Sequence, residues 1–259
     1  MKKFVRFSLT KDAEPTSPNG IYGLLEGDRV IETHQLFATE PGEGHAVSAV
    51  RFLPPVLPSK IICVGRNYVD HAKELGNDVP TEPLIFLKPL SSLITHGDAI
   101  VYPPQSSRVD FEGEIGLVIS KRGRHIRPEE AMDYVFGYTC VNDITARDLQ
   151  KKDGQWTRGK GFDTFCSVGP WMVSKEDFDL SKTTLRTMLN GEIRQEGTPG
   201  QMIFDVGAII AFVSSFLTLE PGDLIATGTP AGVGPMQPGD HVTVEVEGLG
   251  ELTNTVIKG

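Results

Sequence analysis

Cysteine is scarce in this chain: Cys63, Cys140 and Cys166 are the only three among 259 residues, an odd number, far apart and without a C-x-x-C pair. That argues against a thiolate zinc site, and the apolar flanks read as buried core thiols in a reducing compartment. No apolar run approaches the roughly 18 residues that a spanning helix needs. Arg6 and Lys11 interrupt the start of the chain before a secretory apolar core can form. The expectation is a cytoplasmic protein with no membrane partner. Excess positive charge is also lacking. The formal net charge is −9, which argues against nucleic acid and anionic membranes, since both require clustered cations. A small anionic substrate stays open, because a bound divalent cation reverses the field locally. Long repeats, heptads and low-complexity tracts are absent. Gly228-Thr229-Pro230 lacks the Gly-Lys-Ser/Thr of a phosphate-binding loop, so no nucleotide site is expected.

Glycine and proline are plentiful, 28 and 18, which suits many turns and short strands better than a helical bundle. Residues 1–57 hold short alternating stretches between the turn formers Ser17-Pro18-Asn19-Gly20 and Glu26-Gly27-Asp28. They are expected to form a small β-rich N-terminal domain. The run Pro54-Pro55-Val56-Leu57-Pro58 then stiffens the chain and marks a boundary, leaving 58–259 as a catalytic, metal-binding domain. There Ile61–Gly65, Leu84–Leu87 and Phe111–Ile119 read as buried strands, and Asn190-Gly191 between strand-like flanks predicts a hairpin. Val206, Ile209, Ile210, Val213, Phe216 and Leu217 recur at helical spacing behind a cap at Asp205. The fold class expected is α+β, mainly β, as a sandwich or rolled sheet.

Glu112 and Glu114 lie two residues apart, which on a strand places both carboxylates on one face. Like charges beside the apolar Leu117-Val118-Ile119 repel and resist desolvation unless a cation compensates them. Asp143, at the end of the strand-like Tyr138–Val141, offers a third oxygen from a neighbouring strand. Three carboxylates without histidine or cysteine donors favour Mg²⁺ or Mn²⁺, with Ca²⁺ a further hard ion, over Zn²⁺. Spacing alone leaves the opposite reading open, that both glutamates occupy the wet face of an edge strand.

Six motifs bear on that choice: Gly65-Arg66-Asn67-Tyr68-Val69-Asp70-His71, Phe86-Leu87-Lys88-Pro89, Phe111-Glu112-Gly113-Glu114, Asn142-Asp143-Ile144-Thr145-Ala146-Arg147-Asp148, Gly159-Lys160-Gly161-Phe162-Asp163 and Thr227-Gly228-Thr229-Pro230-Ala231-Gly232-Val233-Gly234. In content and order, over residues 60–259, they resemble the fumarylacetoacetate hydrolase family, in its small acylpyruvase and oxaloacetate-processing branch. The resemblance implies that family's mixed β-sandwich roll, a homodimer, and Glu112, Glu114 and Asp143 as metal ligands.

It also bears on the catalytic groups. His71 and Glu74, three apart, are neighbours on a helical turn. A carboxylate beside an imidazole raises its basicity and suits a general base, although taken alone the two read as an ordinary surface pair. The polar stretch Val69–Pro80 reads as a lid. Lys160 sits between two glycines, which allow close backbone approach. Its match to the family's active-site lysine implies stabilisation of an enolate oxygen. Arg147 and Gln150 share a helical face after Thr145, which with Asp148 fits a capping-box-like start. Arg147 either binds a substrate carboxylate or anchors an internal one, and Gln150 can hydrogen-bond a carbonyl. Thr229 offers a hydroxyl and backbone amides to a carboxylate. Arg66 and Tyr68 complete the substrate-binding candidates, with Lys88 ranked lower alongside them.

The implied substrate is a small 2-oxo acid. The first choice of reaction is hydrolysis of a C–C bond in an acylpyruvate-type 2,4-dioxo acid through a metal-bound pyruvate enolate. The same electron sink serves tautomerisation or decarboxylation of oxaloacetate, or isomerisation of a 2-hydroxy-diene-dioate. A catalytically silent, metal-bearing scaffold is the reading from another class. The presence of His71, Glu74 and Lys160 beside the intact carboxylate set argues against it.

Overall fold

The computed structural model describes residues 1–74, 76 and 78–259. Short strands between turns assemble into three sheets among these residues. The largest runs, in spatial order, Gly44–Ala46, Arg29–Thr33, Ile21–Glu26, Lys3–Ser8, Cys166–Ser174, Val135–Asp143, Gly113–Ile119, Leu224–Ala226, Ile61–Gly65 and Leu84–Lys88. A second contains Glu192–Gly197, Leu185–Leu189, His241–Val246, Gly250–Lys258 and Ala99–Tyr102, and a third Thr145–Ala146, Val109–Phe111 and Gly234–Met236.

The central strands are buried and largely apolar because both of their faces are covered. Ile62, Val64, Ile115 and Leu117 pack with Ile209, Ile210 and Val213 of the helix Val206–Phe216 and with Val244 and Leu252 of the second sheet. Their alternating neighbours Ile61, Cys63 and Val118 pack on the other face with Phe4, Val141 and Val168. The period-two alternation of a strand thus feeds two cores from one sheet. All three cysteines are buried and free, as expected.

The expected helix is Val206–Phe216, with the Asp205 carboxylate accepting from the Ala208 N–H at 2.8 Å. Asn190 and Gly191, with φ of 53° and 83°, connect Leu185–Leu189 to Glu192–Gly197, the left-handed pair that a tight hairpin requires. Lys3–Ser8 of the N-terminal segment pairs with Cys166–Ser174 through Lys3↔Val173 and Phe4↔Met172. One sheet therefore spans both parts of the chain.

One expectation needs correcting. Phe111–Ile119 is not a single strand: Val109–Phe111 belongs to the third sheet and Gly113–Ile119 to the largest. Glu112 is where the chain passes between them. At the break the Asp143 N–H donates to the Glu112 carbonyl at 2.8 Å, and two backbone N–H groups are held by side chains. The Glu112 N–H donates to Asn142 Oδ1 at 3.0 Å and the Gly113 N–H to Gln195 Oε1 at 3.0 Å.

Candidate metal centre and active-site cavity

The sheet crossing brings three carboxylates together. Gly113–Ile119 carries Glu114 and lies between Val135–Asp143, which ends in Asp143, and Leu224–Ala226. Glu112 precedes it at the break. One oxygen from each of Glu112, Glu114 and Asp143 falls within 4.8 Å of the others, and all three residues are buried. The wet-strand reading is excluded: Glu112 is 4% and Glu114 2% exposed, because the strand is central and covered on both faces.

Two buried lysines enter the cluster. Lys160 Nζ donates to Glu112 Oε2 at 2.7 Å and to Asp143 Oδ2 at 2.6 Å, and Lys88 Nζ donates to Asp143 Oδ1 at 2.5 Å. On the outer side Arg147 donates to Glu112 Oε1 at 2.5 Å and to Asp110 Oδ2 at 2.9 Å, and Arg108 grips Asp110 with two bonds. Arg147 thus anchors internal carboxylates, the second of the two roles its sequence context allowed. Its third donor reaches Gln150 Oε1 at 2.8 Å.

These neighbours act unequally. Burial pushes the Glu112 carboxyl up, but Lys160, Arg147 and His71 outweigh it and hold the group well below the usual carboxylate range. Burial pushes Glu114 up too, and there Asp143 and Glu112 add to the rise, against weaker opposition from Lys160 and the Gly228 N–H. Glu114 ends well above its ordinary range, with the Gly228 N–H, 2.7 Å from Oε2, as its hydrogen-bond donor among the described residues. A buried carboxylate facing two others, with no lysine bonded to it, is the position at which a hard divalent cation supplies the missing compensation. The donor set, oxygen only, fits such an ion.

A cavity of about 590 Å³ opens beside the cluster, lined by Arg66, His71, Glu74, Glu112, Arg147, Gln150 and Lys160 among others. His71 and Glu74 lie on the helix Val69–Glu74, as their spacing predicted. His71 Nδ1 is 3.6 Å from Glu74 Oε2, too long for a hydrogen bond, and it has no hydrogen-bond partner among the described residues. Both Glu74 oxygens accept from the Gly232 N–H at 3.1 Å. Burial lowers the His71 imidazole; Glu112 opposes that, while Arg147 and Lys160 reinforce it. His71 is therefore neutral over a wider pH range than a free histidine. The lid expectation for Val69–Pro80 includes Leu75 and Asn77, which lie outside the described residues.

Other expectations shift. Lys160 closes the short helix Thr157–Lys160. Gly159 is needed because a Cβ there would meet the Gln150 backbone at 2.8 Å, so the close approach is between two helices and not to a ligand. Burial opposes the Lys160 charge, but Asp143 and Glu112 more than restore it. The Thr145–Asp148 capping box does not form. Thr145 donates to the Asp143 carbonyl, while Asp148 accepts from Ser106 and Ser107. Thr229 is 2% exposed and its hydroxyl donates to the Gly113 carbonyl at 2.7 Å. Tyr68 lines a separate small cavity with Asp70, Glu196 and Gln201. Arg66, at φ 55°, places its guanidinium 5.6 Å from the Trp156 ring at the cavity wall.

Sequence reasoning ranked Lys88 too low and assigned nothing to Asp110 or Gln195. Asp110 stands two residues before Glu112, a signal of the same kind as the Glu112/Glu114 pair. Gln195 has no local signal, since its partner Gly113 is 82 residues away.

Comparison with known proteins places residues 60–257 against the family described as fumarylacetoacetate (FAA) hydrolase C-terminal. A human protein named oxaloacetate tautomerase FAHD2A, mitochondrial, is 46% identical over 221 residues, covering 81% of this chain and 70% of its own length. A 2-hydroxyhepta-2,4-diene-1,7-dioate isomerase from Mycobacterium marinum superposes with a TM-score of 0.86 at 40% identity, over 100% of this chain and 99% of that one. A fumarylpyruvate hydrolase from Pseudomonas aeruginosa, solved with Mn²⁺ and pyruvate, gives a TM-score of 0.74 at 33% identity, over 81% and 92%.

Proposed function

We propose, from the premise that the chain belongs to the fumarylacetoacetate hydrolase family, that this enzyme interconverts the enol and keto forms of a small 2-oxo dicarboxylic acid of the oxaloacetate type. The proposal takes Glu112, Glu114 and Asp143 as ligands of Mg²⁺ or Mn²⁺, and includes a homodimer and a cytoplasmic setting. The observation that carries it is a buried cluster of three carboxylates beside a cavity that is also lined by His71 and Lys160. A divalent ion held there supplies Lewis acidity toward the oxygens of a 2-oxo acid. The other steps belong to the side chains and solvent. In the keto-to-enol direction His71, kept neutral by burial, takes the proton from carbon 3 of the substrate. The 2-oxo oxygen takes one from solvent in the cavity, and the imidazolium returns its proton to solvent. The enol-to-keto direction runs these transfers in reverse. Lys160, kept charged by Asp143 and Glu112, faces negative charge as it develops on the 2-oxo oxygen. Arg147 holds Glu112 in place, and Gln150 and Arg66 offer donors along the cavity wall.

Tautomerisation ranks above hydrolysis for a geometric reason. Activation of water is helped by a carboxylate bonded to the imidazole, whereas Glu74 is tied to the Gly232 N–H and stands 3.6 Å from His71. Proton exchange at carbon depends less on that support. The likeness to the human protein named oxaloacetate tautomerase supports the same choice. C–C hydrolysis of an acylpyruvate is the second reading, supported by the likeness to the P. aeruginosa fumarylpyruvate hydrolase.

Ultraviolet assays with oxaloacetate and with acetylpyruvate, each with and without EDTA, test the proposal. The expected result is EDTA-sensitive loss of oxaloacetate enol absorbance with no release of CO₂. Acetate and pyruvate formed from acetylpyruvate at a higher kcat/KM would move the assignment to hydrolysis. No EDTA-sensitive turnover of either compound would leave the scaffold reading.

A further inference from the structure

The strand Glu192–Gly197 is exposed at four of its six positions, and Gln195 is one of the two that are buried. It is 1% exposed. An amide in such a place is costly unless fully bonded, and this one is. Gln195 Oε1 accepts from the Gly113 N–H at 3.0 Å, and Nε2 donates to Thr229 Oγ1 at 2.7 Å and to the Pro230 carbonyl at 2.8 Å. The Thr229 hydroxyl donates in turn to the Gly113 carbonyl at 2.7 Å. A closed ring of three hydrogen bonds thus binds both polar groups of the residue that joins Glu112 to Glu114. The ring continues into Gly228, next to Thr229, whose N–H holds Glu114 Oε2.

On the other side of the strand this point is held by Asn142 and by the Asp143 N–H, which donates to the Glu112 carbonyl at 2.8 Å; toward the second sheet Gln195 holds it. Gly113 has no side chain to pack, and a Cβ there would stand 2.0 Å from Thr187 Oγ1. The chain is also changing sheets here, so the ladder on the Glu112 side gives way to the third sheet. We propose that Gln195 is a positioning residue of the metal centre. Through Gly113 and Thr229 it sets the spacing at which Glu112 and Glu114 can share one divalent ion with Asp143. The inference rests on the reading that these three carboxylates hold the ion.

The test measures Mn²⁺ binding to metal-stripped protein by calorimetry, together with the melting temperature of the metal-free form. Gln195→Met keeps the length of the side chain and removes all three bonds. It should weaken Mn²⁺ binding about 10- to 100-fold, the range seen when groups supporting metal ligands are lost. Thr229→Val should weaken it similarly, while Thr229→Ser, which retains the hydroxyl, should bind within about twofold of wild type, a range well inside the 10-fold minimum expected for the others. A role confined to packing would lower the melting temperature of Gln195→Met and leave its Mn²⁺ affinity at the wild-type level, which overturns the proposal. If Gln195→Met does not fold, the two Thr229 variants decide, and equal affinity in both overturns it. Wild-type protein that binds no Mn²⁺ overturns both the proposal and the metal assignment beneath it, a result distinguishable because no variant is needed to see it.

Discussion

Replacing Glu114 with glutamine should change metal affinity and metal-free stability in opposite directions. Glu112 and Asp143 each approach Glu114 to within 4.8 Å, and at an effective dielectric of about 20 each such contact costs an ionised Glu114 about 3.5 kcal/mol. Two contacts exceed the cost of taking up a proton instead. At pH 7 that cost is about 3.4 kcal/mol, starting from the ordinary value of 4.5. Without a metal the repulsion therefore favours the protonated carboxyl, whose penalty at pH 7 is capped near about 3 kcal/mol, less what Lys160 and the Gly228 N–H return. The sign follows from proton counting. A carboxyl raised on folding binds more protons in the folded than in the unfolded state, so metal-free wild type loses stability as pH rises above about 4.5. Glutamine removes this loss. Its oxygen can accept the Gly228 N–H, and its amide hydrogens face the carboxylates of Glu112 and Asp143. In EDTA at pH 7 the variant should be roughly 1–3 kcal/mol more stable than wild type by denaturant unfolding, with the difference vanishing near pH 4.5. Its Mn²⁺ affinity should fall by a factor of at least about 100, roughly 2.7 kcal/mol. A variant less stable than wild type in EDTA at neutral pH, or one retaining full Mn²⁺ affinity, would show that Glu114 is not the under-compensated ligand.

Two further substitutions probe the supports of the cluster. Gly113→Ala sets a Cβ 2.0 Å from Thr187 Oγ1 and 3.3 Å from Thr187 Cβ. The strand must shift, so stability should fall by about 1–3 kcal/mol and Mn²⁺ binding should weaken with it. A calorimetric affinity equal to wild type would refute the claim that this close approach spaces the glutamates. Arg147→Lys keeps the charge but loses the fork that bridges Asp110 and Glu112. We expect kcat/KM to drop roughly 10- to 100-fold, the equivalent of one or two charge-assisted hydrogen bonds. Unchanged kinetics would mean that Glu112 needs only a nearby positive charge.

Much of the catalytic region was legible because its signals are local. The apolar run Ile61–Gly65, the helical period behind Asp205 and the Asn190-Gly191 pair each depend on a few adjacent residues. Both the helix and the hairpin stand where that pattern places them. Glu112 and Glu114 were read as one face of one strand. They do converge, but because the chain changes sheets between Phe111 and Gly113. The glycines flanking Lys160 were read as letting the backbone approach a ligand, whereas Gly159 lets two helices touch. Local composition states that glycine is required without stating what approaches it.

The sequence by itself determined which side chains are available: three carboxylates, two lysines, a histidine and a glutamate at helical spacing, in a chain with no excess positive charge to spare. Only the tertiary structure decided how they are shared. Lys88 and Lys160 bond to Asp143, and Lys160 also to Glu112, leaving Glu114 as the carboxylate without a lysine. Arg147 is spent on Asp110 and Glu112, and Gln195 reaches Gly113 from another sheet. These pairings join residues 17 to 82 positions apart. Electrostatic compensation and hydrogen bonding act through ångströms, and no spacing rule along a chain reports distances closed by folding.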